Sequence, residues 1–205
     1  MITASEILES LLREKPKLSA CGGAIDAAAR LLVNCFRSGG KLLICGNGGS
    51  AADGDHISAE LLKSFRRKRP LEISAKAPPW AAEKLQGALP AVPLANFSAF
   101  MTAFSNDCDP EYAFAQLVFA LGKEHDVLLS ISTSGNSPNV LRACETAKAM
   151  KLKVVGLGGS DGGKMLNLCD PCICAPENET HLIQELHLPI YHGLCAMVEA
   201  DIFSA

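Results

Sequence analysis

The tightest constraint on how this chain folds is a pattern that occurs twice. Lys41-Leu42-Leu43-Ile44-Cys45 is a short apolar run that breaks into Gly46-Asn47-Gly48-Gly49-Ser50, and a helical pattern follows from Ala51 to about Phe65. Asp126 to Ile131 is a second apolar run, broken by Ser132-Thr133-Ser134-Gly135-Asn136-Ser137, and Pro138 to Met150 is helical with proline in its first turn. Two strand–loop–helix units imply parallel strands, because a parallel pair needs a crossover long enough to hold a helix. Lys153 to Leu157 and Pro171 to Cys174 read as two more strands. Ala91 to Ala95 reads as a short or edge strand, since Pro93 has no N–H for a ladder. Helices are predicted at Ile7 to Arg13, Ala24 to Arg37, Asn96 to Phe104, Glu111 to Leu121 and Thr180 to Ile202. The expected fold is α/β: a doubly wound, flavodoxin-like parallel sheet flanked by helices on both faces.

A length of 205 residues suits one domain with a full core, and 5% aromatic content makes that core mostly aliphatic. The formal charge of −3 argues against a nucleic-acid or anionic-membrane partner. Arg66-Arg67-Lys68-Arg69 is the exception, and reads as a solvated helix end. Nine cysteines, an odd number at scattered positions, do not make a disulfide framework. With no secretory signal and no run of eighteen apolar residues, the expectation is a cytoplasmic protein with reduced thiols. Cys172-Ile173-Cys174 has the alternation of a strand, and the Cys169, Cys172 and Cys174 group has no second pair at zinc-finger spacing. From Pro70 to Pro90 the chain carries four prolines and its only tryptophan, Trp80, where a short connection is usual. This insertion, at about 70–91, is either a surface excursion with a short helix at Trp80 to Leu85, or a lid or subunit contact.

Small polar loops at the C-terminal ends of parallel strands are where such folds bind ligands. Both loops let backbone N–H groups approach an anion, and the second adds four hydroxyls. Neither has the GxxxxGK[ST] pattern of a nucleotide loop. Gly46, Gly48 and Ala51 fit a loose dinucleotide fingerprint, but the acidic residue it needs is represented only by Glu72, inside the proline-rich stretch. Two such loops favour a phosphate. His56 and Glu60 share one face of the helix that leaves the first loop, and Gln184 and His192 lie eight apart on the last helix, about 80° around an ideal one. Each pair alone is as ordinary as a surface pair or a core histidine. Together they form a plausible four-ligand set for Zn²⁺. Pro189, between Gln184 and His192, predicts a kink, because it removes the bond to the Glu185 carbonyl.

The first loop with Ala51, Ala52, Asp53, His56 and Glu60, the second loop, and Gln184-Glu185-Leu186-His187 with His192 together resemble the phosphoheptose isomerase family of SIS (sugar isomerase) domain proteins. The likeness spans nearly the whole chain, 1–205, as a single SIS domain. It implies a cytoplasmic homotetramer with one zinc per subunit that converts sedoheptulose 7-phosphate to D-glycero-D-manno-heptose 7-phosphate, and it puts the N-terminal helices, 1–38, at a subunit interface. By that resemblance Asn47, Gly48, Gly49 and Ser50 meet the substrate together with Glu60 and Gln184. Ser132, Thr133, Ser134 and Ser137 hold the phosphate, and Asn106 and Asp107 touch the sugar chain. His56, Glu60, Gln184 and His192 match the metal ligands, and Glu60 and His192 the acid/base pair. A carboxylate held by zinc is a poorer base, so the two roles of Glu60 compete.

The chain departs from the family at Ser64, where many members have Arg, so that Lys63 or Arg66 would supply the positive charge. It departs again at His181, which stands where Asp is common, and in the longer 70–91 segment. These changes bear on which sugar is bound more than on the type of reaction. The rival readings are isomerisation of another sugar phosphate, or a non-enzymatic adaptor of the same fold that binds a replication initiator protein. Such adaptors lack the Glu60 and His192 equivalents, and this chain has both.

Overall fold

The computed structural model describes residues 2–71 and 78–203. Glu72 and the centre of the proline-rich insertion lie outside that range. Five parallel strands, β1 (Leu42–Gly46), β2 (Ala91–Pro93), β3 (Val127–Ser132), β4 (Lys153–Gly158) and β5 (Cys172–Cys174), form one sheet in the order β2-β1-β3-β4-β5. This is the doubly wound order, and it reverses direction between β1 and β3. The register pairs Leu42 with Val127 and Gly46 with Ile131, so the two polar loops leave adjacent strands at one level. As expected from Pro93, β2 is a three-residue edge strand.

Alternation along the strands builds two cores. Leu42, Ile44, Leu129, Ile131, Val155 and Leu157 face α1 (Ala4–Glu14), α2 (Gly22–Arg37), α3 (Gly49–Leu62) and α8 (Thr180–Ile202). Leu43, Cys45, Leu128 and Val154 face α6 (Ala113–Leu121) and α7 (Pro138–Ala149) on the other side. A sheet covered on both faces explains why every residue of β1 and β3 is buried. Two short or exposed helices, α4 (Ala81–Lys84) and α5 (Ser98–Asp107), complete the set.

Several boundaries differ from the periodicity, each for a local reason. Helix α1 starts at Ala4 because Thr3 and Glu6 form a capping box. Helix α3 already starts at Gly49, because Gly48 takes φ +54° and turns the chain straight into it. Helix α5 begins two residues late, after a 3-10 turn at Leu94–Asn96, which puts Asn106 and Asp107 in its last turn. Helix α8 runs through Pro189 as one assigned helix.

The basic run is not a solvated helix end. Helix α3 stops at Leu62, the chain doubles back, and Arg69 is buried to 1% exposure. Its Nε donates to Glu199 Oε1 at 2.7 Å, and its two terminal nitrogens donate to the carbonyls of Leu61 (2.6 Å) and Glu60 (3.0 Å). The fully buried Glu199 carboxylate also accepts from the backbone N–H groups of Phe65, Arg66 and Arg67. A cation inside the protein is tolerated here because its donors are matched by a carboxylate and by helix-end carbonyls that would otherwise lack partners.

All nine cysteines are free thiols, six of them buried, with Cys108 exposed. Burial pushes Cys35 and Cys195 up to about 12, which leaves them as packing groups rather than nucleophiles. Among the described residues no helix is long and apolar enough to cross a membrane.

Candidate active site

The two loops meet at the point where the strand order reverses. Neither following helix has a side-chain cap: Gly48 has no side chain to offer, and the Ser137 hydroxyl pairs with Ser132 Oγ at 3.0 Å instead. The first-turn N–H groups of α3 and α7 are therefore not occupied by a capping side chain, in the place where an anion gains most from them. The second loop is held rigidly. Gly135 has φ +61°, and a Cβ there would lie 2.0 Å from the Gly162 carbonyl oxygen, so this position admits only glycine. Asn136 donates to the Ser134 carbonyl at 2.7 Å and accepts from the Lys164 N–H at 3.1 Å. The loops are joined directly as well. Asn47 and Asn139 exchange two amide hydrogen bonds, both 2.9 Å, between the first loop and the first turn of α7.

Helices α3 and α8 run side by side and bring in the ionisable groups. The amide of Gln184 lies over Gly49, where an added Cβ would come within 2.5 Å of Nε2. Two turns further along both helices, His192 Nε2 is 3.3 Å from His56 Nε2, and His56 Nε2 is 3.3 Å from Glu60 Oε1. Lys63 Nζ reaches Glu60 Oε2 at 3.1 Å. Of the two basic residues considered in place of the absent Arg, Lys63 is the one that meets the glutamate. The His192 pKa is lowered, first by burial and then by His56, with Glu60 opposing, so its imidazole is favoured as the neutral form. Phe65 packs against the His192 ring, with centroids 5.5 Å apart. A groove of about 610 Å³ borders this cluster, and Phe65, Arg66, Pro189 and His192 line it opposite α1.

The structure thus gathers His56, Glu60 and His192. It holds Gln184 against the first loop, and places Asn106 and Asp107 at the end of α5, bonded to each other at 2.9 Å. Donors at 2.0–2.2 Å around a tetrahedral ion stand roughly 3.3 Å from one another. Both separations at His56 Nε2 have that value. The match is pairwise: among the described residues no three His, Cys, Asp or Glu side chains close into a finished metal centre.

Three nearby residues escaped the sequence reading of roles. Tyr191 Oη is 3.0 Å from His56 Nδ1, the Asp53 carboxylate lies beside the same hydroxyl, and Asn139 holds Asn47. Asp53 stands one helical turn before His56 and Tyr191 immediately precedes His192, but only the packing of α3 on α8 shows that they meet.

A doubly wound sheet with two phosphate-type loops, beside a carboxylate and two imidazoles, defines a sugar-phosphate isomerase of the SIS type. The SIS domain model matches residues 4–78 and 82–159. The phosphoheptose isomerase of Helicobacter hepaticus is 40% identical over 93% of this chain and 88% of its own, and that of Campylobacter jejuni 41% identical over 86% of each. Among solved structures, phosphoheptose isomerases from Neisseria gonorrhoeae (TM-score 0.73, 33% identity, 96% of this chain and 91% of that one) and Francisella tularensis (0.75, 34%, 93% of each) share the fold. The chain belongs to the phosphoheptose isomerase family.

Proposed function

We propose that the protein isomerises sedoheptulose 7-phosphate to D-glycero-D-manno-heptose 7-phosphate. The observation that carries this reading is the meeting of Glu60 and His192 across His56, two turns along α3 from an uncapped phosphate-type loop. Seven residues of helix separate Gly49 from His56, about 10 Å at 1.5 Å per residue. A substrate anchored by its phosphate on the loops must be a long sugar chain to reach both. Ser132, Thr133, Ser134 and Ser137 bind the phosphate with the loop N–H groups, and Asn47, Gly48, Gly49, Ser50 and Gln184 orient the chain near its reacting end, with Asn106 and Asp107 along it.

Isomerisation moves the carbonyl from one carbon to its neighbour. Glu60 takes the proton from the carbon next to the carbonyl and returns one to the other carbon, while His192 exchanges the proton on oxygen. Lys63 Nζ, 3.1 Å from Glu60 Oε2, holds that carboxylate in place for both transfers. Zinc is the cofactor in this reading, held by His56, Glu60 and His192 with Gln184 as the fourth ligand. When bound, it polarises the substrate oxygens as a Lewis acid.

We also infer a homotetramer in the cytoplasm. None of the ten residues of α5 is buried, and Phe119 (66%), Trp80 (55%) and Tyr112 are exposed, apolar surface that assembly would cover.

Purified protein given sedoheptulose 7-phosphate should form the heptose phosphate, and Glu60→Gln or His192→Ala should abolish turnover by at least a hundredfold. Full activity in both variants would sink the assignment. Metal analysis should find about one zinc per chain, and sedimentation should give four times the chain mass.

A further inference from the structure

We infer that His187 is a positioning residue for the phosphate: from α8 it fixes the end of β4, and through it the glycine-rich stretch 158–163 that packs against the 132–137 loop. The inference rests on the reading of that loop as the phosphate site, and adds to it the groups that hold the loop in shape.

His187 has no access to solvent, and its Nε2 lies 3.2 Å from the Gly158 carbonyl oxygen. A carbonyl oxygen only accepts, so the ring proton is on Nε2 and the partner fixes the direction of the bond. Nδ1 is buried and meets no hydrogen-bonding group among the described residues. A leucine would fill the same part of the core without burying a polar atom, so what the imidazole adds is its one bond from Nε2. The same carbonyl accepts the Ala175 N–H at 2.9 Å. Both its lone pairs are thereby used, and the end of β4 is tied to α8 on one side and to the chain leaving β5 on the other.

The chain that follows β4 meets the phosphate loop backbone to backbone. Ser132 and Gly158 are register partners at the ends of β3 and β4. The Gly159 N–H then donates to the Thr133 carbonyl at 3.1 Å, and the Met165 N–H to the Gly135 carbonyl at 3.0 Å. A Cβ at Gly159 would stand 2.6 Å from the Thr133 carbonyl oxygen and 2.7 Å from Ile183 Cδ1, so there is no slack in this contact. Hydroxyls and N–H groups bind an anion well only when they already converge on one place, because ordering them at the moment of binding costs affinity. Gln184, one turn before His187, lies over Gly49 of the first loop. Two residues one turn apart on α8 therefore brace one loop each.

The test uses the full chain. His187→Leu removes the donor, whereas His187→Gln can return an N–H to the Gly158 carbonyl. In His187→Leu the amides of Gly159 and Met165 should exchange with deuterium roughly tenfold faster relative to those of α2, and glutamine should restore them. With sedoheptulose 7-phosphate, His187→Leu should raise KM about tenfold and change kcat by less than about twofold, because the phosphate is held alike in the ground and transition states. Inorganic phosphate should inhibit it correspondingly more weakly, and His187→Gln should recover both values. Gly159→Ala presses on the Thr133 carbonyl with His187 intact and should give the same split; it carries the test if His187→Leu does not fold. Unchanged exchange at Gly159 and Met165 in a folded His187→Leu, a fall in kcat as large as the rise in KM, or a glutamine variant as impaired as the leucine one overturns the inference. Loosened amides that glutamine restores, in a protein that neither binds inorganic phosphate nor turns over sedoheptulose 7-phosphate, would uphold the support by His187 and sink the phosphate reading instead.

Discussion

Arg69 and Glu199 make the strongest claim about stability, and the claim has a worked size. Glu199→Gln keeps the shape of the side chain but removes the charge that faces a fully buried guanidinium. Breaking one partner of a buried ion pair costs about 3–5 kcal/mol, most of it from the charge left behind. For a chain of this length 1 kcal/mol corresponds to about 2–4 °C, so the melting temperature should fall by about 6–20 °C at constant protein concentration.

A second variant separates this arrangement from an ordinary ion pair. Replacing both partners by apolar residues is often neutral, and for an isolated pair Arg69→Met with Glu199→Leu would restore stability. Here Glu199 also accepts three backbone N–H bonds, from Phe65, Arg66 and Arg67, and Arg69 fills the carbonyls of Leu61 and Glu60. Each orphaned backbone group costs about 1–3 kcal/mol, so the double variant should stay well below the unaltered protein. Because two of these bonds fix the end of α3 that carries Glu60, it should also lose activity. Differential scanning calorimetry settles the point: a Glu199→Gln protein within 2 °C of the original, or a double variant that melts with it, refutes the reasoning.

Two other outcomes follow from single contacts. His187 is fully buried, donates to the Gly158 carbonyl across 3.2 Å, and is lowered by burial from 6.5 to about 4. The unfolded chain takes up a proton below about pH 6.5 while the native one does so only near pH 4. Stability should therefore be full above pH 6.5 and fall by up to about 3 kcal/mol on going down to pH 4. Urea unfolding of His187→Gln should show a flatter slope across that window, and equal slopes would exclude His187 as the cause. Asn139→Ala removes both amide bonds to Asn47, worth about 1 kcal/mol in loop positioning, and should raise KM about fivefold with kcat little changed. An equal fall in kcat would mean that Asn139 acts on the chemical step instead.

The fold was legible because its signals are local. Apolar runs ending in glycine and serine, Pro138 in a first turn and Pro93 at an edge each act within a few residues, and together they leave little choice but a parallel sheet with ligand loops at the reversal. Arg69 was misread for the opposite reason. A run of four basic side chains is solvated unless something charged comes to meet it, and the group that does, Glu199, is 130 residues away. Asp53 and Tyr191 share that difficulty, since nothing on either helix announces the other. Gln184 and His192 illustrate a finer limit. Helical spacing places two residues on one helix correctly but does not say that the amide stops at Gly49 while the imidazole continues to His56.

Net charge takes on a different meaning once the contacts are known. A chain at −3 has no surplus of cations to offer a phosphate, and two of the cations closest to the cluster are engaged: Arg69 on Glu199 and Lys63 on Glu60. What the reversal point presents instead is neutral: hydroxyls at Ser132, Thr133, Ser134 and Ser137, and two helix starts with no side-chain cap. Neutral donors suit a ligand that must leave after each turnover, because they bind a dianion without the desolvated ion pair that would hold it. They also leave the field near Glu60 to its own lysine. A strong positive charge on the phosphate loops would compete for that carboxylate's influence on the substrate, whereas backbone dipoles lose their effect within a turn or so. In the proposed reaction the anchoring end and the reacting end of the site are in this way kept electrostatically separate, about two helical turns apart on α3, and that separation would let Glu60 work as a base beside a phosphate.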